Sequence, residues 1–578
     1  MTHPTKPVDL ALLTPVLQKY DGRKRDALLP MLHDAQALYG WLPREVQEAI
    51  GRTLHVPLAE VHGVIEFYTM LYNQPTAKTV IRVCQDPACY LAGSIAVSKK
   101  IEESLAVSDG QTTAGGDITF EHVPCLGMCE HAPNALYGSK PAGDLTVDTV
   151  DDFLNGRYPE PEPRIFGRPV IKLRRAGLLN PLSLSDYEEH GGFEDLRKAL
   201  ALAPEEIIDM LKQAKVLGRG GAMFPIGLKW EFTRGAAGSP AEKHIIANAD
   251  ESEPGTFKDR GLMEEDPFSL VEAMIIAGYT VGAENGWIFV RGEYPRSYAR
   301  LSNAVQKARD AGYLGRNILG REGFSFDIEM RLGAGAYICG EETALFEAIE
   351  GKRGFPRIKP PFPTTNGLFQ QPTAINNVET LAAAMAVIHM GVDAWLQLGT
   401  AESPGTKWFC LSGHLVRPGI YEVPFGLTIR DLIEMAGGVP GGKEVQAVLL
   451  GGAAGVFVGP GSLDMLLSYE AARAHGVPLG SGVIQVFDET VDLREVLYRL
   501  SHFFAHESCG KCFPCQIGTQ RQMEILDRVA HNGGSLPSDR ETLRDLGFTM
   551  TNTSLCGLGQ TASTAVNSAL DLWPELLS

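Results

Sequence analysis

The chain has 578 residues, 44% of them hydrophobic and 21% charged, with a formal net charge of −18. That length predicts roughly 3–5 domains, and the ordinary composition predicts globular ones. The acidic balance speaks against nucleic acid and anionic membrane surfaces; the opening residues MTHPTKPVDL show no secretory leader and no long apolar run predicts a membrane span, so a soluble cytoplasmic protein is expected.

Residues 1–76 predict a helical bundle, with apolar spacing of helical period over 26–39, 43–54 and 58–72. From residue 77 the period changes. Short β-branched strands at 79–83 and 118–123 each run into a cysteine-bearing loop, within a small α/β unit that extends to 158. The segment 159–164, alternating Pro and Glu, reads as an extended linker. Residues 159–400 alternate strands (242–249, 286–291) with helices (267–283, 294–311), which predicts a layered, Rossmann-like α/β domain. Residues 401–490 are glycine-rich with short strands and a helix at 428–436, the pattern of a β-grasp-like module. Residues 491–578 return to helical period, broken by a cysteine cluster. The expected fold class is therefore multidomain α/β.

Eight of the ten cysteines form two sets. The first is Cys84, Cys89, Cys125 and Cys129, on loops past strand ends. Zinc sites favour a tighter pair spacing, and Gly127 permits close backbone approach to inorganic sulfide, so a [2Fe–2S] centre is favoured over zinc or unligated thiols. The second is Cys509, Cys512 and Cys515 on one tight loop, completed by the distant Cys556. This fits a [4Fe–4S] centre better than a structural zinc. A helix predicted at 516–530 begins there, its positive dipole end toward the anionic metal–thiolate unit. Cys339 and Cys410 have no partner at ligand spacing and read as ordinary buried thiols.

Between the two sets lie three polar, glycine-rich segments. The first runs from Gly218 to Lys229, the second from Asn248 to Arg260 directly after a strand. The third runs from Gly333 through Gly340-Glu-Glu-Thr343 to the Pro-rich 351–363, followed by Asn376-Asn-Val-Glu-Thr380 capping a helix. Glycines admit phosphate to backbone N–H groups, and polar loops at strand carboxyl ends are where open α/β sheets bind ligands. Singly each segment could be a solvated loop; together they describe one composite site.

These motifs, with Glu507-Ser-Cys-Gly-Lys-Cys512, resemble in order those of the NADH-binding flavoprotein subunit of respiratory complex I. The first 160 or so residues, including Phe67-Tyr-Thr-Met70, resemble that complex's thioredoxin-like [2Fe–2S] subunit. Fusion of the two resembles the diaphorase subunit of soluble NAD-reducing [NiFe] hydrogenases. The resemblance implies FMN held by Gly218, Arg219, Gly221, Lys229, Asn248, Asp250, Ser252, Gly340, Glu341, Asn376, Asn377 and Thr380. It implies NAD(H) against Phe224, Phe232 or Phe362, with Glu253, Glu342 and Lys359 in contact. No protein residue is expected to be catalytic, because the cofactor carries the chemistry. Met223, where the family commonly has Gly, bears on access beside the flavin. The implied activity is electron exchange between NAD(H) and iron–sulfur clusters through FMN. The implied partners are an iron–sulfur electron-transfer subunit and a hydrogenase module. A formate dehydrogenase or complex I-like assembly is the alternative, and a non-enzymatic iron–sulfur scaffold the rival class.

Overall fold

The computed structural model describes residues 8–577; residues 1–7, which hold most of the segment read for a secretory leader, and residue 578 lie outside the described residues. Near the amino end stand α1 (Leu28–Tyr39), α2 (Arg44–Leu54) and α3 (Leu58–Ile65). In α2 the buried side chains of Val46, Ala49, Ile50 and Leu54 recur at helical spacing, so one face packs inward. Helix α3 stops well short of the expected end at residue 72. There the backbone donates instead to the central block, from Thr69 N–H to Gly335 O at 3.1 Å and from Met70 N–H to Ala334 O at 2.9 Å. Tertiary bonds satisfy the groups that another helical turn would have used.

The strands β1 (Thr79–Cys84), β2 (Ile118–Val123), β3 (Ala135–Tyr137) and β4 (Lys140–Ala142) form a sheet in the order β2-β1-β3-β4. β1 and β2 are parallel, with Cys84 opposite Val123. Parallel pairing places the carboxyl ends of both strands, and the cysteine-bearing loops that follow, at the same end of the sheet. The segment 159–164 is extended but not free. Arg164 donates to Glu130 O and pairs with Asp144, and Glu162 O lies 2.8 Å from His131 Nε2. The next residues form β5 (Ile165–Phe166), which pairs with a strand far downstream.

The central block contains α4 (Ile226–Gly235), β6 (His244–Ala249), α5 (Lys258–Glu265), α6 (Pro267–Val281), β7 (Asn285–Val290), β8 (Asp327–Leu332), α7 (Glu342–Ile349), β9 (Thr373–Asn377) and α8 (Val378–Met390). Its sheet is parallel throughout, in the order β8-β7-β6-β9. The chain builds outward from β6 to β8, then returns to place β9 on the other side of β6. That reversal opens a crevice beyond the carboxyl ends of β6 and β9. Helix α6 is buried along its whole length, as a helix with apolar residues all round must be.

The third sheet comprises β10 (Thr406–Gly413), β11 (Gly419–Pro424), β12 (Val445–Leu450), β13 (Val456–Val458) and β14 (Val483–Asp488), in the order β13-β12-β14-β10-β11-β5. The block expected at 159–400 thus contributes its first strand to the sheet of the block expected at 401–490. Helices α9 (Leu493–Glu507) and α10 (Phe513–His531) dominate the carboxyl region. Among the described residues no helix is long and apolar enough to cross a membrane.

One buried ionic knot ties three of these regions together. Glu379, in the first turn of α8, lies 2.6 Å from Lys172 Nζ, 3.2 Å from Lys258 Nζ and 3.7 Å from Lys407 Nζ, and all four side chains are essentially without solvent. Lys172 follows β5, Lys258 opens α5 and Lys407 lies in β10. The Glu379 carboxylate also accepts from Trp408 N–H at 2.9 Å. Burial alone would push the Glu379 carboxyl up; the ammonium groups of Lys172, Lys407 and Lys258 overcome this and hold it well below the usual carboxylate range. Removing one member of such a group leaves uncompensated charge in a dry interior. Glu379→Gln is expected to lose ~3–5 kcal/mol of stability, read as an earlier urea midpoint of tryptophan fluorescence.

Candidate flavin site and iron–sulfur centres

The residues expected around a flavin converge on the crevice at the sheet reversal. Asn248, next to the last residue of β6, donates through Nδ2 to Gly340 O at 2.8 Å. Asp250 N–H donates to Asn248 Oδ1 at 3.2 Å, and Ser252 Oγ donates to Asp250 Oδ1 at 3.2 Å. Gly340 closes a 3-10 turn (Tyr337–Gly340) that must pass close to this loop: a Cβ there would meet Asp250 O at 3.2 Å. Asn376 and Asn377 end β9, and the Asn377 side chain caps α8 by accepting from Glu379 N–H at 3.0 Å. Glu341 caps α7 by accepting from the N–H groups of Thr343 and Ala344, both at 2.9 Å.

The glycine loop returns on itself, with Gly218 N–H donating to Phe224 O at 3.0 Å. It lies against the opening of α8: Arg219 N–H donates to Thr380 Oγ at 2.9 Å, and a Cβ on Gly220 would sit 3.1 Å from that of Asn377. Arg219 therefore serves the crevice through its backbone. Its guanidinium points the other way, donating to Tyr469 Oη at 3.0 Å and lying 4.7 Å from the Phe425 ring centre. Met223 adopts φ 53° and packs against the core of the third sheet. That left-handed conformation favours glycine, which gives the departure at this position a backbone cost as well as a steric one.

Two buried polar atoms in the crevice, Asp250 Oδ2 and Asn376 Nδ2, have no hydrogen-bond partner among the described residues. Burial pushes the Asp250 carboxyl well above the usual range, against the opposing Arg291. Buried polar atoms are normally bonded, and orphans of this kind mark where a ligand belongs. A carboxyl oxygen from the loop after β6 and an amide donor from β9 suit a polyhydroxylated chain such as ribityl. The residues present fit FMN.

The nucleotide candidates divide. Lys359 Nζ pairs with Glu341 at 3.2 Å and Glu342 at 2.8 Å on the rim. Lys229 donates to Ile375 O at 2.9 Å, and burial lowers its ammonium below the ordinary lysine value. Phe224 and Phe362 are 43% and 59% exposed, so their rings are open to a planar ligand. Phe232 is also exposed but lies two turns along α4 from the loop. Glu253 faces the third sheet, accepting from Ala454 N–H at 2.9 Å.

The carboxyl-terminal thiols Cys509, Cys512, Cys515 and Cys556 line one pocket together with Ile338 and Pro356. Cys512 is the N-cap of α10, which begins three residues earlier than its sequence pattern suggested. Burial pushes the Cys515 thiol up to about 12 and the Cys556 thiol up to about 11. Thiols so disfavoured as anions ionise when cationic metal shares their cavity. Among the described residues no group of three or more His, Cys, Asp or Glu is gathered for a single metal ion. Four thiols around one pocket are the donor set of an iron–sulfur cube. At the amino-terminal set, Cys125 Sγ and Cys129 Sγ are 3.4 Å apart, and Gly127 N–H points at Cys125 Sγ at 3.3 Å. Thiol neighbours Cys125 and Cys89, then burial, push Cys84 up. N–H donation to a ligand sulfur fits a cluster, whose charge such bonds offset. Cys339 and Cys410 are buried, each outside both sets.

Sequence reasoning missed the groups that carry these sites from behind. Lys172 and Lys407 had no motif to mark them, and Glu379 stood inside the Asn376–Thr380 motif without being assigned a role. Arg291, Tyr294 and Arg499 reach the amino-terminal cluster loops from other domains, which no spacing could reveal. Lys258 and Arg260 stood inside a recognised motif but were assigned no role.

Comparison with known proteins agrees with this geometry. Residues 13–157 match the thioredoxin-like [2Fe–2S] ferredoxin model, 211–386 the Nuo51 FMN-binding domain, 409–453 the SLBB domain, and 495–578 the NADH-ubiquinone oxidoreductase-F iron–sulfur binding region. The alpha subunit of the NAD-reducing hydrogenase HoxS of Cupriavidus necator is 33% identical, over 98% of this chain and 93% of that one. An NADH-quinone oxidoreductase subunit of Rhizobium meliloti is 43% identical, over 70% of this chain and 95% of that one. A crystal structure of NAD+-reducing [NiFe]-hydrogenase in the H2-reduced state superposes with a TM-score of 0.85 at 31% identity, covering 96% of this chain and 92% of that one. The chain therefore belongs to the family of FMN-binding, iron–sulfur NAD(H) oxidoreductase subunits that includes the NAD-reducing hydrogenase alpha subunit and its counterpart in NADH-quinone oxidoreductases.

Proposed function

We propose that this chain is a diaphorase subunit that exchanges electrons between NAD(H) and iron–sulfur centres. It works in the cytoplasm, in a hetero-oligomer with an iron–sulfur electron-transfer subunit and a hydrogenase module. The carrying observation is a single shared turn. In Tyr337–Gly340, Gly340 O is held by Asn248 in the crevice, while Ile338 walls the cavity of Cys509, Cys512, Cys515 and Cys556. Tyr337 N–H is anchored to Glu507 at 2.9 Å, next to the cysteine loop. The flavin crevice and the carboxyl-terminal cluster are thus built back to back.

Flavin supplies the exchange between a hydride's electron pair and single electrons. The chain's own residues bind, orient and shield it. Asn248, Asp250, Ser252 and Asn376 present a polar edge, and the loop Gly218–Gly221 with the start of α8 offers backbone N–H groups to phosphate. Asn377 and Thr380 fix the two elements against each other. Phe224, Phe362 and Phe232 offer apolar faces to the nicotinamide and adenine rings, and Lys359 with Glu342 offers charge at the rim. Cys84, Cys89, Cys125 and Cys129 would hold [2Fe–2S], and the carboxyl-terminal quartet [4Fe–4S]. The hydrogenase relative also spans the fused amino-terminal domain, which ranks this reading above the same module in a complex I-like or formate-oxidising assembly. Nickel in the co-purified partner would support it; molybdenum would favour the alternative.

The direct test is purification under anaerobic conditions: a flavin- and iron-bearing protein that reduces a dye with NADH is expected, and a colourless, inert one overturns the reading. Asn376→Leu removes one buried donor and is expected to weaken FMN binding roughly tenfold, about one hydrogen bond's worth, measured by flavin fluorescence. Cys556→Ala is expected to abolish the EPR signal of the [4Fe–4S] centre while FMN content stays at the wild-type level. Burial pushes the Glu253 carboxyl up to about 7, against bonds from Ala454 N–H and Ser481. A carboxyl that holds its proton more tightly when folded stabilises the protein below its ordinary range, and this is lost as pH rises through about 7. Glu253→Gln is therefore expected to gain on wild type above that pH, by at most about 3 kcal/mol, and to show no gain near pH ~4, measured as thermal midpoints across the range.

A further inference from the structure

The loops that carry the amino-terminal cysteines are held from outside their own domain. Arg291, just past β7, donates to Cys125 O at 2.6 Å and to Glu251 O at 2.7 Å. Arg260, on α5, donates to Gly127 O at 3.0 Å and pairs with Glu130. Tyr294 Oη donates to the same carbonyl at 3.3 Å, and the loop passes so near that a Cβ on Gly127 would overlap the phenol oxygen. On the opposite side Arg499, from α9, donates to Gln85 O at 2.8 Å. Its guanidinium lies 4.2 Å from the ring centre of Tyr90. Gln85 follows Cys84 in sequence and Tyr90 follows Cys89. Both ligand-bearing loops therefore end on a cation supplied by another region of the chain.

Arg291 and Arg499 are buried or nearly so, and the Nε of each is buried without a partner among the described residues. Each also has a carboxylate behind it, Glu293 at 2.9 Å and Glu495 at 2.6 Å. Each guanidinium thus touches both a carboxylate and a thiol-bearing loop. Charge in a poorly solvated setting acts over several ångströms with little screening. A cluster gains one negative charge on reduction, so a cation beside its loops favours the reduced form. Hydrogen bonding and net charge around a cluster are among the determinants of its potential.

We infer that Arg291 and Arg499 position the ligand loops of the amino-terminal centre and raise its reduction potential, so that this potential depends on the thioredoxin-like domain being docked on the rest of the chain. The inference rests on the reading of Cys84, Cys89, Cys125 and Cys129 as a [2Fe–2S] site. Loss of either guanidinium exposes the loops to the carboxylate behind it, and the centre becomes harder to reduce. Among the described residues Arg499 makes no hydrogen bond or ion pair with the flavin crevice, whereas Arg291 also fixes Glu251 O in the loop beside Asp250. The two variants therefore separate an effect on the cluster from an effect on flavin.

The test is an EPR-monitored redox titration of the full-length protein. In Arg499→Met the midpoint of the [2Fe–2S] centre is expected to fall, with FMN content and the [4Fe–4S] midpoint as in wild type. In Arg499→Lys, which keeps the charge, it is expected to lie between the two. Arg291→Met is expected to lower the same midpoint and to reduce FMN content as well. If a methionine variant does not retain the centre, Arg499→Gln, which keeps a donor toward Gln85, carries the same expectation of a lower midpoint. Unchanged midpoints with the centre present overturn the inference. A wild-type protein with no [2Fe–2S] signal on reduction would instead overturn the reading of the quartet.

Discussion

The arrangement of this protein depends on a carboxylate that cannot leave its place. Glu379 is sealed among Lys172, Lys258 and Lys407, one from each of three stretches of chain that meet nowhere else in sequence. Ion pairs in a dry interior add little net stability, because desolvation offsets most of the attraction, but they penalise misplacement heavily. Their effect here is registry. Lys172 brings the segment after β5 under the third sheet, and Lys407 brings β10 against the central block. Glu379 itself stands between Asn377 and Thr380, so the same knot fixes the strand end and helix start that face the crevice.

From that registry the functional surfaces follow. The reversal of strand order between β6 and β9 supplies the crevice, and polar strand ends line it. The turn at Tyr337–Gly340 serves that crevice on one side and the carboxyl-terminal thiols on the other. Helix α9 then links the two metal regions. Arg499 reaches back to the loop after Cys84, and Glu507 at the helix end holds Tyr337 beside the loop of Cys509. One helix and a short turn thus connect the crevice and the two cysteine regions.

The amino-terminal helices show how far such tertiary demands override local preference. Apolar spacing favours helix through residue 72, yet α3 ends at Ile65 because Thr69 and Met70 donate to Gly335 and Ala334. The motif Phe67-Tyr-Thr-Met is therefore an interface motif: Tyr68 Oη donates to Lys352 O at 3.0 Å, and Phe67 packs edge-on against Phe355. The bundle closes over the central block and shares a core with it, including Ile246, Phe289 and Phe346.

The sequence by itself determined what is local. Apolar period specified several of the longer helices and a few strands, cysteine spacing separated the two thiol sets, and glycine-rich polar segments marked the loops of the crevice. These properties reside in a few consecutive residues, so they are legible without a fold. Only the tertiary structure decided how side chains divide between neighbours. It turned Arg219's guanidinium toward Tyr469 and left its backbone to the crevice. It sent Glu253 to Ala454, joined β5 to a sheet that forms far downstream, and set arginines from two other regions on the amino-terminal cluster loops. The physical reason is that a long charged side chain reaches several ångströms in any direction, and which buried partner it meets is fixed by packing between domains, not by its neighbours in the chain.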